Sequence, residues 1–235
     1  MRGDVPIGCV VIAALPLLGL AAGCIPVPVA STPTHAPICL AKRDQPWTAP
    51  EFVAAGNDAR DRALEVENAT ILSPSVGTSM FGGPWTGDLR EASDCYERAL
   101  QANPGSYDAR LGLGTVYLLV GLRNTQTNST GPNPFYAHAK RELGRAYFLR
   151  AEKNEPIFYL TLIAIVENQL QAAQYLLGQV RKSQPNDGEV LTLAGYYAER
   201  SGNPTVAKQY YTDAYNRGAS ADTLTFLTNW LRNHP

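Results

Sequence analysis

The sequence predicts an all-α protein, a solenoid of about four helix-turn-helix units closed by a capping helix at the C-terminus. The first reason is side-chain size. Leu191, Ala194, Gly195 and Ala198 form one stripe at helical spacing, and Ala207, Tyr211 and Ala214 form another. Each stripe sets small residues beside large ones, so a second helix can approach closely. The second reason is punctuation: Ser201-Gly202-Asn203-Pro204 separates the two stripes and both stops a helix and starts one. The third is recurrence. Ala92, Tyr96, Ala99 and Pro104 share their internal spacing with Ala173, Leu177, Val180 and Pro185, and Gly144, Phe148, Ala151 and Pro156 read as a further copy.

Ala-x-x-x-aromatic-x-x-Ala after a helix with a small residue and a Gly, as at 188–222, resembles the tetratricopeptide repeat. That unit is a helix-turn-helix of about 34 residues, often closed by Pro. Leu113-Gly114-x-x-Tyr117 follows Pro104 as the first helix of such a unit, and Ala55-Gly56-x-x-Ala59 is a weaker copy. The resemblance implies a right-handed superhelix over 49–235 whose first helices line a concave face. By that register the face comprises Leu111, Thr115 and Leu118, then Phe158, Leu162 and Ile165, then Thr192, Tyr196 and Glu199. This stripe suits a helix or extended segment of a partner protein. It lacks the Lys and Asn pattern of family members that clamp a C-terminal carboxylate.

Ile7 to Ala22 is almost wholly apolar and ends in small residues, the layout of a secretory signal over 1–23. Ala21-Ala22-Gly23-Cys24 resembles the lipobox of bacterial lipoproteins, which implies acylation of Cys24 and a new N-terminus there. Ile25, rather than Asp, leans toward the outer membrane, with the folded part facing the periplasm. Pro26, Pro28, Pro33, Pro37 and Pro46 make 24–48 a semi-rigid tether. Helices are expected at 50–68, 88–101, 106–121, 135–153, 156–167, 169–182, 188–200, 204–217 and 221–233. Two insertions, about 70–87 and 122–133, fall between the helices of the first and second units. Leu224, Phe226, Leu227, Trp230 and Leu231 give the last helix an apolar face that caps the stack.

With 235 residues, a formal charge of −1 and 17% charged residues, the chain can bury a core and has no electrostatic pull toward nucleic acid. No catalytic constellation is evident. His35, His138 and His234 share no helix face and no metal-ligand spacing, so no metal site and no cofactor are expected. Cys9 leaves with the signal and Cys24 is claimed by the lipobox. Cys39 and Cys95 remain as an even pair, either bonded or free thiols. The reading is a membrane-anchored adaptor that holds another envelope protein, as in pilus or secretion assembly. Two alternatives stand beside it: a small periplasmic enzyme using Cys95, with His138 as base, or a loop acid; and a structural spacer in polysaccharide export or outer-membrane assembly.

Overall fold

The computed structural model describes Cys39 and residues 47–65, 87–124 and 133–233. The chain divides into two units, Met1–His35 and Ala36–Pro235, and all of the described residues belong to the second. The signal segment, Cys24, nearly all of the tether and both insertions apart from their edges lie outside the described residues, as do His35 and His234. The described residues form α1 Ala49–Glu65, α2 Gly87–Ala102, α3 Tyr107–Asn124, α4 Pro134–Leu149 and α5 Glu155–Val166. After these come α6 Leu170–Ser183, α7 Gly188–Arg200, α8 Pro204–Arg217 and α9 Ala221–Asn233. No strand occurs among them, so the fold is all-helical.

Local chemistry fixes the ends. The Asp187 carboxylate accepts from the Glu189 and Val190 amides at 2.9 and 3.0 Å, satisfying two donors at the start of α7. Asn133 does more at the start of α4: its Oδ1 accepts from the Phe135 amide at 3.0 Å while its Nδ2 donates to the Gly121 carbonyl at 2.8 Å. One side chain therefore joins two helices across the second insertion. Pro134, Pro156 and Pro204 occupy first-turn positions, where a missing N–H costs nothing. Gly218 ends α8 at φ 75°, a backbone that favours glycine.

The helices pack as consecutive antiparallel pairs, α1 with α2, α3 with α4, α5 with α6 and α7 with α8, and α9 lies on α8. The first helices of successive pairs also touch one another, α1 to α3, α3 to α5 and α5 to α7. Large side chains fill notches left by glycine. The Tyr96 ring lies against Gly56 and Gly112, Tyr136 against Gly121, and Tyr211 against Gly195. A Cβ on Gly114 would sit 2.7 Å from Leu143 Cγ, and one on Gly121 would sit 2.5 Å from the Tyr136 ring. Thr161 holds the equivalent position in the third pair, twelve residues before Ala173 as Gly195 is before Ala207, and is fully buried with its hydroxyl bonded to the Ile157 carbonyl at 2.7 Å.

The sequence expectation for α4 needs one correction. Gly144, Phe148 and Ala151 do not form its packing stripe: Phe148 is 85% exposed, Ala151 lies beyond the helix end, and nothing stands near Gly144. The stripe is Ala139, Leu143 and Ala146, all fully buried, with the same internal spacing five residues earlier. Leu143 does the work that an aromatic ring does in the first and fourth pairs, so a search keyed on an aromatic passes over it.

Two polar locks join the elements. Glu142, 2% exposed, accepts from Arg110 at 2.5 Å, Arg141 at 2.9 Å and Arg145 at 3.1 Å. Burial pushes this carboxyl up, but the guanidiniums outweigh it and hold the group below the ordinary glutamate range. At the other end, Glu189 accepts from the Ser220 amide at 2.8 Å and the Thr223 hydroxyl at 2.9 Å, fastening the start of α9. The Trp230 and Phe226 rings then pack on Tyr211 at 4.6 and 5.6 Å.

Two tests follow from this packing. Gly112→Ala should cost about 1–3 kcal/mol because Tyr96 must move, while Gly144→Ala should gain about 0.5–1 kcal/mol because only helix propensity changes. Urea denaturation of both variants checks the opposite signs. For Glu142, a lowered folded pKa contributes stability that is present above the unfolded value near pH 4 and is lost as pH falls through the folded value. Glu142→Gln should therefore be about 3 kcal/mol less stable at pH 7 and lose less than the natural chain on acidification, as measured by unfolding at pH 7 and pH 3.

Candidate functional site

The candidate surface is the row of first helices, which touch one another in sequence. The sequence register places nine residues there, and the structure changes most of them. Thr115, Leu118, Leu162, Ile165 and Thr192 are buried. Leu118, Leu162 and Ile165 belong to the central core cluster with Tyr136 and Leu143. Thr115 and Thr192 donate their hydroxyls to the carbonyls of Gly112 and Gly188, each at 2.8 Å, within their own helices. The reason is the close approach of neighbouring first helices, which seals the middle of the stripe. Leu111, Phe158 and Tyr196 remain half-buried.

Glu199 is exposed as a residue, but its carboxylate is engaged: Oε2 accepts from the Tyr211 hydroxyl at 3.0 Å and Oε1 from Trp230 Nε1 at 3.4 Å. It secures the cap helix rather than presenting a free acid to a guest. Burial first, then Glu199, drives the Tyr211 phenol far up.

Further residues complete the inner face. The spacing of Leu111, Thr115 and Leu118, applied to the first pair, gives Val53, Asn57 and Arg60. Asn57 accepts from the Tyr96 hydroxyl at 2.7 Å, and burial holds that phenol up at about 12. Arg60 pairs with Asp61 at 2.8 Å, and its charge reaches Tyr159 on α5. Tyr159 is itself raised, first by burial and then by Glu155, Glu189 and Asp61, against the pull of Arg60. One tyrosine thus feels charges from three first helices. A cavity of about 330 Å³ continues this face between the start of α1 and the turn before α3, with Val53, Asn57, Tyr107 and Arg150 among its walls. Arg150 lies 5.0 Å over the Tyr107 ring, and the Tyr107 hydroxyl donates to Glu155 at 3.3 Å.

The candidate nucleophile is already consumed, because Cys95 is bonded to Cys39 with Cα atoms 5.5 Å apart and both residues fully buried. His138 instead stacks on Tyr117 at 5.2 Å and lies 3.1 Å from Arg141. Among the described residues no group of three or more His, Cys, Asp or Glu is placed to hold a metal ion, and none of their helices is long and apolar enough to cross a membrane.

Paired antiparallel helices stacked through glycine notches, with the first helices touching in a row, define a helical-repeat protein. One stretch of this array matches a known repeat family. The profile of the tetratricopeptide repeat family matches residues 86–121, which covers α2 and most of α3. Among solved structures, the MamA protein is similar at 15% identity over 72% of this chain and 91% of that chain, with a TM-score of 0.32. A comparison with curated proteins gives no match. A scaffold for protein–protein contact is the role this class of fold suggests.

The disulfide yields a stability test. It closes a sequence separation of 56 residues, for which chain entropy gives about 4 kcal/mol. Replacing Cys39 and Cys95 together by Ser should lower stability by up to about that amount, read from calorimetric melting of the full chain under oxidising conditions.

Proposed function

We propose that the protein is an adaptor of the bacterial cell envelope, anchored through an acylated Cys24 and holding a segment of another envelope protein on the inner row of its repeats. The observation that carries this reading is the half-buried run Leu111, Phe158, Tyr159 and Tyr196 on rigidly packed helices. Such aromatics give much contact area for little lost freedom. Arg60 and Asp61, beside Tyr159, add charges that select a partner's register. The tether and lipobox supply attachment, and two or more acyl chains are what stable anchoring takes. Assembly of a pilus or secretion complex is the setting proposed for this adaptor.

Photo-crosslinkers placed at Phe158 and Tyr196 in envelopes should trap one and the same partner. Phe158→Ala and Tyr196→Ala should each weaken its capture by about tenfold, or about 1.4 kcal/mol, in chains that circular dichroism shows still folded at the assay temperature. Capture that survives both changes removes the inner row from the reading. Mass spectrometry of the mature N-terminus should find lipid on Cys24, and an unmodified start at Ile25 or later would remove the anchor.

A further inference from the structure

A second cavity, of about 600 Å³, lies on the other side of the last two pairs. Its walls are α6 and α8 and its floor is α7, with Leu177, Gly178, Arg181, Ala198, Val206 and Tyr210 the residues that matter. This volume lies within the range of pockets that enclose a ligand group. We propose that it docks an acidic segment of a partner protein, with a carboxylate on Arg181 and an adjoining apolar side chain over Gly178.

Arg181 is the first reason. Its guanidinium lies 5.0 Å over the Tyr210 ring and donates to the Tyr210 hydroxyl at 2.9 Å, so its position is fixed. Its Nε is buried without a hydrogen bond, and among the described residues no carboxylate pairs with it. Arg62 and Arg110 each have buried carboxylate partners by contrast. A fixed, partly dehydrated cation without a counter-ion favours a guest that brings one.

Charge around the cavity points the same way. Of the residues lining the cavity, Arg181 alone is charged, and no acid stands among them. Its unopposed charge attracts an acidic segment and speeds its arrival.

Gly178 is the third reason. Glycine is an unfavourable choice inside a helix, and the notch glycines Gly56, Gly112, Gly114, Gly121 and Gly195 are explained by the ring or leucine each admits. Nothing stands within 4 Å of a Cβ built on Gly178, so no such neighbour accounts for it. Its bare backbone keeps the α6 wall open, and Val206 on the opposite wall, 42% exposed, offers an apolar rim.

The test uses the full-length chain and fluorescence anisotropy with a labelled peptide of about twelve residues, built of Glu-Leu-Leu-Glu blocks, against a twin with Gln for every Glu. The acidic peptide should bind saturably, and about tenfold or more tighter than its twin. Arg181→Gln and Gly178→Leu should each weaken it by about tenfold, while Phe158→Ala on the inner row should leave it unchanged. Equal binding of the two peptides, absence of saturable binding, or binding unaltered by both variants overturns the proposal. So does loss of binding on Phe158→Ala alone, which would put the peptide on the inner row. Success or failure here is independent of the adaptor reading, since the two surfaces share none of the residues changed.

Discussion

Everything in this fold depends on a ring or a leucine entering a gap where a neighbouring helix has no side chain. Tyr96 against Gly56 and Gly112 is the fullest case, since one phenol is received by the first helices of two successive pairs. That single contact sets the spacing within a pair and between pairs. Fully burying such a side chain contributes about 1.5–3 kcal/mol, but its larger effect is on geometry. With the backbones this close, first helices contact one another, and the middle of the inner row is consumed by the core.

The two ends of the stack are closed by different means. At the start, Phe52, Cys39, Cys95, Ala99 and Ala109 form a small cluster with Trp47 packed on it, held by a covalent bond. At the finish, an acid on each end of α7 secures the cap helix, Glu189 at its beginning and Glu199 near its close. Terminal repeats of a solenoid lack a neighbour on one side and need such devices. Disulfides form and persist chiefly in oxidising compartments.

The helices were legible in the sequence because each is bounded by Pro, Gly, Asn or Asp, and because their stripes are long. The phase of α4 was not, since its large residue is Leu143 and a tempting Phe148 lies five residues on. The inner face was legible in register but not in exposure. Whether Leu118 or Ile165 meets solvent depends on how closely successive pairs approach, and that distance is set by residues far away in the chain. Arg60 and Tyr159 were missed for a related reason: their association crosses about a hundred residues, and spacing within one helix carries no sign of it. Arg181 was invisible for the opposite reason, because its distinction is the lack of a counter-ion, which only a folded chain reveals.

The Asn133 side chain has a further consequence. By reaching back to the Gly121 carbonyl while capping α4, it staples the exit of one helix to the entrance of the next. Registry of the second pair is thereby insulated from whatever lies in 125–132. Evolution could lengthen, shorten or rewrite those eight residues without disturbing the stack, which makes that edge a natural splice point for new sequence.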